Sequence, residues 1–356
     1  MKYSIITIHH IHNFGSVFQA LALARFMNDN GYETDIIDYQ PSYYNVGKSK
    51  LKTLIGRAMN LPAYLRRKKR FAEFIAQNSP LSHSRFADIS ALQAYYKDKD
   101  GVYISGGDQL WNDYHPCGKD DAYKLTFVRK GKKLAYGTSL GRNTYTEEEM
   151  ACLAEKVKDF EAIMLREQST VPLLQQHTAV PVHHVIDPVG LLDVDVFREL
   201  AIKPQINEPY AVMYLADSGP LLNKAIEVLS KKLGLKIVHI CGFKKKCYCD
   251  VFEKAAGPAE ILGYIMHADF VLSASFHATL FSILFNKQFA TLLPGEKTNA
   301  RIEDVLSYVG LSHRIVRSDE DLSCLTKQIE FSEVTSTVAN WRKESRTLLL
   351  QTLEKL

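Results

Sequence analysis

A chain of 356 residues is long enough for two domains of ordinary size, each with a core of its own. Apolar residues at 46% and charged residues at 24% exclude a disordered or collagen-like chain. A formal charge of +4 is too small for a dedicated nucleic-acid binder, so any anion-binding site must be local.

Tyr3 to Ile8 reads as a strand, and it stops at His9, His10 and His12, too soon for the core of a signal peptide. A polar loop leads to Gly15. An apolar-periodic helix follows from about Ser16 to Asn30, with Phe18, Leu21, Ala22 and Phe26 on its buried side and Arg25 on the flank. Gly31 is placed to end it in a left-handed turn, and Glu33 to Asp38 reads as the next strand. Strand, helix and strand at this spacing form a βαβ unit, which implies a parallel sheet.

Pro41 to Pro80 is less regular and holds the basic run Arg66, Arg67, Lys68, Lys69, Arg70 beside Leu61, Tyr64, Leu65, Phe71 and Phe74. Two readings are open: a solvated helix face, or a patch for anionic lipid headgroups or a lipid-linked substrate. Val102 to Ser105 and Lys133 to Tyr136 read as strands, and Thr146 with Glu149 as a capping box opening a helix to about Phe160. Ile163 to Leu165 and Val182 to Ile186 complete a first α/β half.

The pattern weakens between Asp193 and Pro209, where Pro204 and Pro209 bracket a linker. A second half follows: strand Tyr210 to Leu215, helix Leu221 to Leu233 ended by Gly234, and strand Lys236 to Cys241. Gly257 and Pro258 open another helix. Asp269 to Leu272 is the strand leading to His277, and Phe289 to Leu293 follows the next helix. Trp341 onward is an amphipathic terminal helix. The most apolar stretch, Phe270 to Phe285, is shorter than the ~20 residues of a membrane span. It also carries Ser273, Ser275, His277 and Ser282, which fits strand, loop and buried helix.

Six cysteines do not make a disulfide framework here, and they fit a cytoplasmic protein with unpaired thiols. Cys241, Cys247 and Cys249 cluster, but three thiols fall short of a structural metal site. His10 and His12 alternate like a metal-binding pair without the remaining ligands, since His183 and His184 lie on another strand. No metal is expected.

The expected fold class is α/β, with two Rossmann-like domains facing across a cleft: residues 1–203, residues 207–333 carrying His277, and a closing helix over 334–356. Open parallel sheets bind ligands outside the C-terminal ends of their strands, so the residues just after strands are the candidates. They are His9, Asn13 and Gly15; Gly106, Gly107, Asp108, Gln109, Trp111 and Asn112; Tyr136, Ser139 and Gly141; Arg166 and Glu167; and Ser273, Ser275 and His277. Neither a Walker motif nor a dinucleotide fingerprint is present.

Taken in order, these stretches resemble the polysaccharide pyruvyl transferase family. The matches are Thr7-Ile8-His9, Asn13-Phe14-Gly15, Gln19-Ala20-Leu21, Ser105 to Asn112, Tyr136-Gly137-Thr138-Ser139, Arg166-Glu167, Asp187-Pro188, Gly257-Pro258, Ser275 to Thr279 and Asn299-Ala300-Arg301. The resemblance runs from about residue 3 to residue 315. It implies a glycosyltransferase-B-like architecture with the N-terminal domain on the acceptor side. It also implies transfer of pyruvate from phosphoenolpyruvate onto two hydroxyls of a sugar, with no cofactor. Ser275 stands where some members carry an arginine, and Gly107 where serine is common, so donor binding falls to Arg166, Arg301 or backbone N–H groups.

Ketal formation needs a general acid and base and fixed positive charge. His277 meets the first demand, at a helix start where the dipole favours the neutral ring. Arg166 and Arg301 meet the second, because a guanidinium grips carboxylate and phosphate through two bonds. Asp108 and Gln109 are placed to orient acceptor hydroxyls, and His9 is a second acid/base group or a loop donor. The acceptor is a sugar or lipid-linked oligosaccharide, met in the cytoplasm or at the inner face of the membrane through Arg66 to Arg70. Two alternatives stay open: a nucleotide-sugar-dependent glycosyltransferase and a non-catalytic glycan-binding protein.

Overall fold

Short apolar runs such as 102–106 and 270–273 are wholly buried and cannot leave a face in water, and they sit within two parallel sheets with helices as crossovers. The computed structural model describes residues 1–44, 60–142, 144–214, 219–240, 242–243, 245, 247–293 and 299–356. The chain divides into two units. The first holds Met1–Lys52, Ala72–Leu192 and Asn340–Leu356, and the second Thr53–Phe71 and Asp193–Ala339.

In the first unit, β1 (Tyr3–Ile6) is followed by α1 (Phe14–Asp29) and β2 (Thr34–Tyr39). After α2 (Leu61–Asn78), whose residues to Phe71 belong to the second unit, come β3 (Leu81–Phe86), α3 (Ile89–Tyr96), β4 (Val102–Gly106), β5 (Lys132–Thr138) and α4 (Glu147–Val157). Next are β6 (Ala162–Leu165), α5 (Val171–Gln175) and β7 (Val182–His184). The sheet order is β3-β2-β1-β4-β5-β6-β7. The chain therefore leaves β1 on one side and returns to β4 on the other, which makes the β1/β4 edge a topological switch point.

α1 differs from the amphipathic helix read from the sequence. Every residue from Phe14 to Ala24 is buried, so the helix is enclosed on all sides. Gln19 on this helix is held through its amide nitrogen: Nε2 donates to Thr7 Oγ1, Ile8 O and Ser16 O at 2.8, 3.2 and 2.9 Å. Gly31 ends the turn at φ +86°, as its position predicts. The Thr146–Glu149 capping box is present at α4.

The second unit runs α6 (Val194–Leu200), β8 (Tyr210–Tyr214), α7 (Pro220–Glu227), β9 (Lys236–His239), β10 (Val251–Phe252) and α8 (Pro258–His267). It continues with β11 (Phe270–Ser273), α9 (Phe276–Leu284), β12 (Gln288–Leu292), α10 (Ala300–Tyr308) and β13 (Ile315–Val316), and α11 (Phe331–Leu353) follows. Its sheet order, β10-β9-β8-β11-β12-β13, reverses at β8/β11. Arg314 is fully buried in this unit, where its guanidinium donates to Phe289 O, Cys324 O and Lys327 O.

The domain limits differ from 1–203, 207–333 and 334–356. Residues 193–203 belong to the second unit, because Phe197 packs on Phe281 and Ile202 N donates to Ala259 O. Residues 340–356 belong to the first. There Ser345 Oγ accepts from Ile186 N at 2.9 Å, while Arg342 and Arg346 donate to Gly190 O and Leu191 O, both at 2.7 Å. Cys241 lies outside the described residues. Among the described ones, no cluster of His, Cys, Asp and Glu is arranged to hold a metal ion, and no helix is long and apolar enough to cross a membrane.

Candidate functional site

At the switch point of the first unit, the loop after β1 turns its polar groups inward. His9 is buried, with Nε2 3.0 Å from Asp38 and Nδ1 3.2 Å from Thr7 O, so both ring nitrogens are engaged. Burial raises the Asp38 carboxyl, but hydrogen bonds from His9, Arg85 and Gln40 outweigh it and hold the group well below the usual carboxylate range. His10 lies edge-on to His9 and Tyr44, and burial, with a smaller push from His9, lowers it to about 4. Asn13 caps α1 by accepting from Gly15 N at 3.0 Å.

The loop after β4 holds Gly107 and Asp108 both at φ +61°. Gly106 forms the floor, where a Cβ would come 2.7 Å from Leu23 Cδ2. A Cβ on Gly107 would lie 1.7 Å from Gln19 Oε1, which explains why serine is not accommodated here. Asp108 accepts from Ser16 Oγ at 2.5 Å and from Gln109 N at 2.8 Å, and Gln109 Oε1 accepts from Asn112. Trp111 anchors its loop by donating from Nε1 to Tyr123 O at 2.9 Å. It also borders a cavity of about 510 Å³, shared with Asp113, Lys119, Arg142, Tyr145 and Glu149.

The loops after β5, β6 and β7 close a charged network. Arg166 donates to Asp187 at 2.5 Å and lies 3.9 Å from Asp108 and 4.0 Å from Glu167, which itself accepts from Ser139 Oγ. All four charged groups are buried. One guanidinium among three carboxylates leaves no surplus positive charge, so this place does not suit an anionic donor. The carboxylates around Arg166 come from its own strand end, through Glu167, and from the ends of β4 and β7, through Asp108 and Asp187.

In the second unit, Ser273 Oγ bridges the switch point by donating to Tyr214 O at 3.0 Å, and it accepts from Ser275 N at 2.9 Å. Ser275 is the N-cap of α9, its Oγ accepting from Ala278 N. The arginine expected two residues before the histidine is thus replaced by a capping group. His277 follows in the first turn, buried, with its ring edge-on to Phe276. Arg301, at the start of α10, holds its guanidinium 5.7 Å from the centre of the Phe276 ring. Ser275 and His277 thus share the start of α9, and Arg301 reaches the ring of Phe276 between them. His9, Asn13, Gly15, Gly106, Gly107, Asp108, Gln109, Ser139 and Arg166 gather separately at the edge of the first sheet. Sequence reasoning missed Asp38, Arg85 and Ser16, whose roles depend on partners far along the chain.

The polysaccharide pyruvyl transferase family model matches residues 13–294. The chain belongs to this family. The match covers His277 and most of the strand-end loops but stops short of Arg301. Among curated proteins, none matches the chain. Among solved structures, the UDP-GlcNAc 2-epimerase from Methanocaldococcus jannaschii is similar over 99% of this chain and 100% of its own, at 12% identity and a TM-score of 0.54. A putative UDP-N-acetylglucosamine 2-epimerase from Listeria monocytogenes is similar over 97% and 90%, at 9% identity and a TM-score of 0.56. The Neisseria meningitidis UDP-GlcNAc 2-epimerase, bound to UDP-GlcNAc, covers 100% of each chain at 11% identity and a TM-score of 0.54. These likenesses show the fold: two Rossmann-like units of the glycosyltransferase-B type.

Proposed function

We propose that this pyruvyl transferase family member moves pyruvate from phosphoenolpyruvate onto two hydroxyls of a sugar in a cell-surface polysaccharide precursor, in the cytoplasm, with His277 as general acid and base. The observation that carries the reading is the place of His277, in the first turn of α9 beside the β8/β11 switch point, with Arg301 against Phe276. A proton given by His277 to the terminal carbon of the donor leaves a cation at its C2. A sugar hydroxyl attacks C2 and loses its proton to His277. The bond from C2 to the phosphate oxygen then breaks, and the second hydroxyl closes the ketal, its proton leaving with phosphate. Arg301 and the N–H groups opening α9 supply positive charge for the donor's anionic groups. Asp108, Gln109 and the cavity beside Trp111 suit an uncharged, hydroxyl-rich acceptor. Arg166 acts here as a positioning residue, holding the loops after β4, β6 and β7 together.

Protein incubated with phosphoenolpyruvate and a panel of lipid-linked sugars should release phosphate. His277→Ala should lose that release, and Arg301→Ala should raise KM for phosphoenolpyruvate. Turnover by His277→Ala at the wild-type rate overturns the assignment. The glycosyltransferase-B-type fold, which serves both chemistries, leaves one second reading, a glycosyltransferase using a nucleotide sugar. Stabilisation by a nucleoside diphosphate and not by phosphoenolpyruvate selects it. Sugar binding without phosphate release selects a non-catalytic glycan-binding protein.

A further inference from the structure

The basic run on α2 does not form one patch. Arg67 and Arg70 turn inward, within the second unit to which residues 53–71 belong. Arg67 is buried, its guanidinium 5.6 Å from the ring centre of Phe71 and 5.8 Å from that of Phe243. Arg70 pairs with Glu260 at 2.9 Å and donates to Ala255 O at 3.0 Å. It approaches so closely that a Cβ on Gly257 would lie 2.6 Å from its own Cβ. Tyr64 packs on Phe243 from the same side.

The opposite side faces outward. Leu61 and Leu65 are 45% and 52% exposed, one helical turn apart. Lys68 and Lys69 continue that face one turn on, and Arg66 flanks it, all three exposed. No acidic residue occurs on the helix before Glu73. Among the described residues, the other exposed large apolar side chains are Met1, Tyr95, Tyr114, Ile202, Leu233 and Tyr248, and none of these pairs shares a helical turn. Two aliphatic side chains ringed by three cations, on a helix held from behind by two more, fit the boundary between acyl chains and anionic headgroups.

We propose that Leu61, Leu65, Arg66, Lys68 and Lys69 form a docking surface for a membrane rich in anionic lipid. The leucines enter the acyl boundary and the cations meet headgroup phosphates. The surface is independent of the reaction assigned above, because binding is read with no substrate present.

The test is co-sedimentation of the full chain with vesicles of phosphatidylcholine and phosphatidylglycerol, against phosphatidylcholine alone. Wild type should partition onto the anionic vesicles and be released at high salt. R66Q/K68Q/K69Q should lower partitioning roughly 100-fold at low salt, and L61Q/L65Q roughly tenfold or more. These positions point to solvent, so both variants should melt at the wild-type temperature. K231Q/K232Q, an exposed basic pair elsewhere on the second unit, should bind as wild type does. Wild-type partitioning by both α2 variants overturns the proposal, as does an equal loss in K231Q/K232Q. Conversion of a dimer to a monomer by L61Q/L65Q, with vesicle binding unchanged, assigns the face to a second copy of the chain instead.

Discussion

Arg166 donates to Asp187 at 2.5 Å with both side chains 1% exposed, so the strand ends of β6 and β7 are tied by an ion pair that water scarcely reaches. Removing the guanidinium leaves Asp187, Asp108 and Glu167 buried with no cation among them. Arg166→Ala should cost about 3–5 kcal/mol of unfolding free energy in urea titration. Arg166→Lys should recover only part of it, since an ammonium cannot reproduce the fork. A raised KM for phosphoenolpyruvate at unchanged stability would instead return Arg166 to direct donor binding.

Gly107→Ser should destabilise more than a turn glycine ordinarily does. The backbone is at φ +61°, and the new Cβ would meet Gln19 Oε1, on a side chain pinned by three hydrogen bonds. Strain and overpacking together come to roughly 2–4 kcal/mol. Gly31→Ala is the comparison: it has positive φ but open space around its Cβ, and about 1 kcal/mol is expected. Melting temperatures of the two variants test the difference.

His10 gives stability a dependence on pH. The unfolded ring takes up its proton near pH 6.5 and the folded ring near pH 4, so the folded protein binds fewer protons between those values. The contribution is therefore fully present above pH 6.5 and is lost as pH falls toward 4, on the order of 3 kcal/mol at most. His10→Phe keeps a ring against His9 and Tyr44 and should flatten this part of the profile. The comparison rests on the difference between the two proteins, since burial also lowers His183, His267 and His313. An unchanged slope in the variant would assign the dependence to those residues.

Arg314→Met should weaken the second unit selectively. The carbonyls of Phe289, Cys324 and Lys327 lose their donor in a fully buried place, which costs about 3 kcal/mol or more. Hydrogen exchange should quicken at β12 and β13 while β1 and β4 keep their protection.

Local chemistry made much of this legible from the sequence. Strand runs such as Val102 to Ser105, the Thr146–Glu149 cap and the helix opened by Pro258 were readable because each is decided by neighbours in the chain. His277 was readable for the same reason, as a histidine just past a strand in an apolar run. The fate of Arg166 was not, because Asp187 and Asp108 are brought to it only by the sheet order. The inward turn of Arg67 and Arg70 depends likewise on Phe243, Ala255 and Glu260. The even burial of α1 is a tertiary result too, since its polar residues find partners in the loop after β1 and in Asp108.

The first unit is built from three separate stretches of chain, and the last of them begins at Asn340. A ribosome delivers residues from the N-terminus at about 5–20 per second. All of 193–339 is therefore available before Ser345, Arg342 and Arg346 exist to meet Ile186, Gly190 and Leu191. The second unit can close while the first still exposes the chain beyond β7. The unit that emerges first is completed last, and until then the segment after β7 waits for its partners.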